Sequence, residues 1–205
     1  MNKKMMLLAS GMIGATVLLN GCGSGPQRID PSGNRGLTTV DDINFKDWQM
    51  TATKAINSLL ASGVLSRQDG RKMILMISTV KNSTSQHINT RILTDKMRQA
   101  VLRSGKALTT TAISGSGAED KATRQVRKLE DDDMFNQATV QKSGTAIAPD
   151  MSLAGDIIQQ KTTLGRKSES YFFFHLTLTD LKTGLAVWED NFEVAKQAEK
   201  PVFGW

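Results

Sequence analysis

The segment 171–180 (YFFFHLTLTD) places the tightest limit on how this chain can fold, because its side chains alternate strictly along it. This two-residue period is typical of a β-strand that buries one face. The other face is predicted to hold His175 among aromatic and hydroxyl side chains. The apolar face comprises Phe172, Phe174, Leu176 and Leu178.

This strand is predicted to have partners on both sides of it in the sequence. A Leu-Lys-Thr-Gly turn at 181–184 leads into a second alternating segment over 185–194, and another candidate strand covers 154–163. Three consecutive strands joined by turns predict an antiparallel meander. In the returning strand, the side chains predicted to share one face are Ala186, Trp188, Phe192 and Val194.

The first half of the chain predicts helices that alternate with strands. Apolar residues recur at helical spacing over 45–60 and end at Gly63, and they recur again over 88–101 before Ser104-Gly105. Between these helices, the compact apolar run 72–80 (KMILMISTV) predicts a buried strand.

The middle of the chain has weaker patterns. A short Thr-rich strand is predicted over 107–112 and a third helix over 118–129. A further short helix is predicted over 134–141, with Asp133 as its N-cap and Gly144 beyond its end. The whole order of elements predicts an α/β or α+β sandwich, in which helices pack on a mixed sheet that ends in the antiparallel meander.

The N-terminus has the organisation of a bacterial export signal. Lys3 and Lys4 precede an apolar run over 5–19, which is too short to cross a bilayer comfortably. The following Leu19-Asn20-Gly21-Cys22 resembles a lipobox, although Asn20 departs from the usual small or aliphatic residue. Cys22 is the single cysteine, so an intrachain disulfide is impossible and a lipidated thiol explains it. A plain secretory signal with an incidental thiol is the alternative.

These features predict three parts of the chain. Residues 1–21 form a lipoprotein signal peptide, residues 22–41 a lipidated flexible linker rich in Gly, Pro and polar residues, and residues 42–205 a periplasmic domain. The residue after the cysteine is Gly23 rather than Asp. By resemblance to Gram-negative lipoprotein sorting, this implies an outer-membrane location on the periplasmic face.

Composition and spacing argue against several kinds of site. The net charge of +6 comes from basic residues scattered among acids, so no nucleic-acid partner is expected. His87 and His175 are far apart in sequence, which predicts no metal site. The acidic run 130–133 lacks the spacing of a calcium loop, and no activated nucleophile is visible. We therefore expect neither a cofactor nor a small-molecule substrate.

Several short motifs follow one another in a definite order between Phe45 and Phe192. They are Asp47-Trp48, Val80-x-Asn82-x-Thr84, Leu93, Ala100, Gly105-Lys106, Leu176-x-Leu178, Lys182-Thr183-Gly184 and Val187-Trp188. After a lipobox, this order resembles the penicillin-binding-protein activator lipoproteins of the LpoB family.

The resemblance implies a fold like the N-terminal domain of TolB, a sheet flanked by helices without catalytic residues. It also implies a non-enzymatic outer-membrane lipoprotein that binds a bifunctional class A penicillin-binding protein and stimulates its synthesis of peptidoglycan. Asn82 and Thr84 are candidate partner contacts, but both residue types also cap and turn the backbone. The alternatives are an envelope assembly or structural lipoprotein on the same fold, and an enzyme acting on wall glycan or lipid.

Overall fold

The computed structural model of the chain describes residues 28–30, 40, 42–115 and 119–200. The predicted signal peptide, Cys22 and most of the predicted linker lie outside these residues, so the predicted division at 21/22 and 41/42 stays a prediction.

Two long helices and five strands form the described domain. The helical elements are α1 (Phe45–Ala61), α2 (Arg91–Ser104) and the single turn α3 (Ala122–Gln125), which continues into a 3-10 turn (Val126–Leu129). The strands are β1 (Met73–Ser83), β2 (Ala107–Thr109), β3 (Met151–Leu164), β4 (Lys167–Asp180) and β5 (Ala186–Glu199).

The five strands form one mixed sheet in the order β2-β1-β3-β4-β5. The strand β1 pairs in parallel with both β2 and β3, whereas β3, β4 and β5 pair antiparallel with one another. The predicted fold class and the predicted terminal meander are therefore both confirmed. Parallel neighbours need a crossover connection, and α2 provides it between β1 and β2.

The core lies between the two long helices and one face of the sheet. The predicted apolar face of β4 is buried throughout, and the ring of Trp48 meets Phe174 edge-on with centroids 5.6 Å apart. Trp48 is 7% exposed and belongs to the core. Burying each large side chain of this kind contributes roughly 1.5–3 kcal/mol.

Local chemistry explains where the long helices begin and end. Asn44 and Asp47 form a capping box at the start of α1, with Asn44 Oδ1 accepting from Asp47 N at 3.0 Å and Asp47 Oδ2 accepting from Asn44 N at 2.9 Å. Gly63 and Gly105 follow the two helices with φ of 74° and 67°, a conformation that glycine adopts without strain. Both predicted helix ends are confirmed.

The segment between β2 and β3 differs most from the prediction. The predicted helix over 134–141 is wrong, because these residues form successive turns. The side chain of Gln137 donates to three nearby backbone carbonyls, which competes with helical hydrogen bonding. Asp132 rather than Asp133 accepts from the backbone N–H of Met134, at 3.0 Å.

Other boundaries shift by a few residues. The predicted strand 107–112 pairs only over 107–109, and the helical residues of the predicted third helix are limited to 122–129. The 3-10 geometry and the lack of buried residues in that helix show that it does not pack on the core. The strand β1 extends to Ser83, beyond the predicted end at residue 80.

One residue of the returning strand lies on the opposite face from its prediction. Leu178 pairs with Trp188, but a register shift then pairs Thr179 with Ala186. Ala186 therefore shares the face of Thr179 rather than that of Trp188, because directly paired residues of a sheet point to the same side. The irregularity inserts an extra residue into β5, which alternation alone does not reveal.

Candidate functional site

The predicted partner contacts Asn82 and Thr84 lie in a tight turn at the end of β1. Asn82 Oδ1 accepts from Thr84 N at 3.0 Å and from Thr84 Oγ1 at 2.8 Å, and Asn82 Nδ2 donates to the Gln86 carbonyl at 2.6 Å. Both side chains are half-buried. These contacts are those of an Asx turn, which favours a structural role, and a contact with a partner stays a prediction for both residues.

The same turn lies beside the first residues of the domain. Ile43 N donates to Gln86 Oε1 at 3.2 Å, and Lys196 Nζ, from the far end of β5, donates to the Asp42 carbonyl. The chain therefore enters the domain at the end of the sheet where β1 finishes, close to Asn82 and Thr84.

A polar cleft of about 710 Å³ lies at the opposite end of the sheet, beside the starts of β1 and β3. Arg67 there bridges two carboxylates, Asp69 at 3.1 Å and Asp150 at 2.9 Å. Asp150 also accepts from the backbone N–H of Ile74 at 2.9 Å. Arg67, together with Arg71, holds the pKa of Asp69 well below its usual range. The network ties the loop before β1 to the start of β3, which is a structural role.

The second face of the meander, which we call the open face, points away from α1 and α2. Cross-strand pairing places Ile158, Phe173 and Tyr171 near its centre, where Ile158 pairs with Phe173. The rings of Phe173 and Tyr171 stack with centroids 6.4 Å apart, and Ile158 is 44% exposed. Large apolar side chains therefore lie in the middle of a surface with no long helix upon it.

Carboxylates surround these apolar side chains. Asp156, Glu169, Glu189 and Glu193 all share the open face by register. Glu169, with a smaller effect from Glu193, raises the pKa of Tyr171 because a negative neighbourhood disfavours the phenolate.

His175 connects two of these carboxylates across the meander. Its Nε2 lies 2.9 Å from Glu189 Oε1 on β5, and its Nδ1 lies 3.2 Å from Asp156 Oδ1 on β3. The hydrogen bond to Glu189, supported by that to Asp156, raises the pKa of His175 because it favours the imidazolium. Alternation predicted the face of His175 correctly, but its partners depend on register, which the sequence does not reveal.

Within 42–115 and 119–200, together with the few described residues before them, no group of three or more His, Cys, Asp or Glu side chains could hold a metal ion. In the same part of the chain, no helix is long and apolar enough to span a membrane.

Comparison with known families identifies the chain. Residues 47–194, from the first turn of α1 into β5, match the model of the family described as peptidoglycan-synthase activator LpoB. The chain belongs to the LpoB family. The resemblance that the motifs predicted is thereby confirmed, and the family is one of activators rather than of catalysts. No curated protein matches the chain by sequence.

Several solved structures are similar in fold at low sequence identity. The C-terminal domain of LpoB from Escherichia coli is 14% identical, with 72% of this chain and 98% of that chain covered and a TM-score of 0.42. Lipoprotein GNA1162 from Neisseria meningitidis is 10% identical, with 62% and 84% covered and a TM-score of 0.36. A PelC dodecamer from Paraburkholderia phytofirmans is 12% identical, with 60% and 70% covered and a TM-score of 0.34.

Proposed function

We propose that this LpoB-family chain is an outer-membrane lipoprotein that binds a bifunctional class A penicillin-binding protein and activates its synthesis of peptidoglycan. The family match over residues 47–194 is the observation that supports this proposal. It includes both long helices, β1 to β4 and most of β5, so the proposal concerns the domain as a whole.

The proposed anchor is a lipid on Cys22. A single acyl chain holds a protein only weakly, so stable anchoring needs more than one chain on this residue. The domain begins at the end of the sheet near Gln86 and Lys196, which gives the linker a defined point of attachment. A linker of about twenty residues reaches at most roughly 70 Å from the membrane when fully extended.

The proposed mechanism has no chemical step in this chain. The lipoprotein binds the active conformation of the synthase more tightly than the inactive one, and this differential affinity shifts the population toward activity. A coupling of about 1–3 kcal/mol would correspond to roughly 5–150-fold. Catalysis stays with the synthase.

The direct test is glycan-strand polymerisation by each purified class A synthase of the host, with and without the full chain in detergent. We expect the rate to rise about fivefold or more, and the heat-denatured chain should have no effect. If every synthase fails both to bind and to respond, the activator proposal is wrong. A stable complex with another envelope protein would then favour the assembly-factor alternative.

The anchor has a separate test. Metabolic labelling with radioactive palmitate should mark the wild-type chain and leave Cys22→Ser unlabelled, and the variant should leave the membrane fraction. Labelling that persists in Cys22→Ser would contradict the proposed site. An unlabelled wild-type chain would instead favour the plain secretory signal.

A further inference from the structure

The open face offers an area suited to an interface. Each strand of the meander has 14 residues, which corresponds to a length of about 46 Å. Three strands spaced roughly 4.8 Å apart give a surface of around 600 Å², close to the ~800 Å² that each partner buries in a standard complex.

The helices of the described domain leave this surface uncovered. The long helices α1 and α2 pack on the other face of the sheet, with the core between them. The short α3 and the 3-10 turn make their main contact with each other. The described helices therefore do not cover the open face, where Ile158 is 44% exposed and Tyr171 and Phe173 are half-buried.

The centre of the open face has the composition of an interface core. Tyr171 and Phe173 supply two stacked aromatic rings, and Ile158 adds an exposed aliphatic side chain beside them. Aromatic side chains at the middle of a surface are the residues that most often dominate binding energy, because they exclude water over a large area.

The charge around this centre is the opposite of the charge of the chain. Asp156, Glu169, Glu189 and Glu193 cluster on the open face, although the whole sequence carries a net charge of +6. Register also places Lys81 beside Asp156 and Lys167 at one end of this face, so acidic side chains outnumber basic ones there. A hydrogen bond to Glu169 raises the pKa of Tyr171, and a hydrogen bond to Glu189 raises the pKa of His175. A negative surface of this kind attracts positive partners over distances of about a Debye length, roughly 8–10 Å.

We infer that the open face is the docking surface for a basic surface of the partner protein, with Phe173, Tyr171 and Ile158 as its apolar anchors and the carboxylates as its charged rim. The inference rests on the proposed function, and it assigns that function to one face of the domain. The synthase is expected to present Lys or Arg side chains around an apolar residue.

The test measures binding of the full chain in detergent to the purified class A synthases of the host. Glu193→Lys reverses one charge of the rim, and Phe173→Ala removes an anchor. The matched controls lie on α2, on the other side of the sheet. They are Asp95→Lys, at a half-buried position paired with Arg91, and Leu102→Ala, at an exposed position.

We expect Glu193→Lys to lower the association rate about tenfold and to weaken its dependence on salt, because rim charges act mainly on encounter. Phe173→Ala should raise the dissociation rate about tenfold, because buried anchors act mainly after encounter. Each control should stay within about twofold of the wild type. Circular dichroism and the urea midpoint show whether each variant is folded.

The outcomes separate the two proposals. If the wild type binds a synthase and both open-face variants bind it equally well, the open-face inference is wrong and the activator function stands. If the wild type binds no synthase, the activator function fails and the inference fails with it. The wild type could also self-associate, and Phe173→Ala could abolish that self-association. This result would overturn the open-face inference, because a second copy of the chain would then bind the open face.

Discussion

Lys196 Nζ lies 2.6 Å from Asp47 Oδ2, and the two side chains are only 9% and 13% exposed. This ion pair joins the last strand to the first turn of the first helix. Asp47 also closes the capping box with Asn44, and the Lys196 ammonium donates to the Asp42 carbonyl. This pair of side chains therefore links the two ends of the described domain.

Removing the lysine should be costly. In Lys196→Met the Asp47 carboxylate would stay almost buried without its counter-charge, so we expect a loss of about 3 kcal/mol of unfolding free energy. Urea denaturation measures the loss. Lys167→Met, at an exposed position on β4, is the control and should change stability by less than about 0.5 kcal/mol. Equal midpoints for the two variants would show that the ion pair contributes nothing.

Gly155 should tolerate no side chain. A Cβ on this residue would lie 2.2 Å from the His175 carbonyl oxygen and 2.6 Å from Leu176 Cδ2. Since backbone atoms of paired strands cannot move apart freely, Gly155→Ala should cost about 2–3 kcal/mol in thermal or urea denaturation.

The matched control for this prediction is Gly144→Ala. Gly144 has open space around it but a φ of 81°, so alanine there should cost only about 1–2 kcal/mol from backbone strain. A larger loss at Gly144 than at Gly155 would contradict the predicted close approach of β3 to β4.

His175 should make stability depend on pH. Its pKa in the folded chain is raised above the 6.5 of an ordinary imidazole, chiefly by Glu189. The stabilisation is therefore complete below 6.5 and is lost as the pH rises through the raised value. Because the pair is partly exposed, the effect should be at most about 1 kcal/mol.

Denaturation of wild type and His175→Gln over a pH series measures this effect. The difference between them should be largest in mild acid and shrink toward alkaline pH. His87→Gln, at an exposed position, is the control for replacing a histidine by glutamine. A constant difference between wild type and His175→Gln would mean that protonation of His175 is not coupled to folding.

The hydrogen bonds of Asn82 in the turn at the end of β1 should stabilise the folded chain. Asn82→Ala removes the hydrogen bonds that Asn82 makes to the Gln86 carbonyl and to two groups of Thr84, so we expect a loss of about 1–2 kcal/mol. Binding to the synthase, measured on the folded fraction, tests the separate prediction that Asn82 and Thr84 contact the partner. Unchanged binding by folded Asn82→Ala and Thr84→Ala would leave only the structural role.

Predictions from the sequence succeeded where periodicity was long and strong. Local patterns predicted α1, which begins at Phe45, and α2, which ends before Gly105. They also predicted the buried face of β4 and the order of the strands in the meander. They failed between β2 and β3, where side chains such as Gln137 bond the backbone and no apolar stripe forces a helix.

The sequence predicted only part of the open face. Alternation placed Tyr171, Phe173 and His175 on one face, but their neighbours Asp156 and Glu193 come from other strands. Which residues lie opposite depends on register, and register depends on turns and bulges that are settled by packing of the whole sheet.

The sequence by itself therefore determined the type and order of the main elements and the buried face of β4, and the order of its motifs carried the resemblance to the family. The elements and the buried face are encoded in local spacing, which acts within one element at a time. The tertiary structure decided the clustering of carboxylates around the open-face aromatics, the buried Lys196–Asp47 pair and the close approach at Gly155. These features arise because residues far apart in the chain meet only when the sheet is paired and the helices are packed on one side of it.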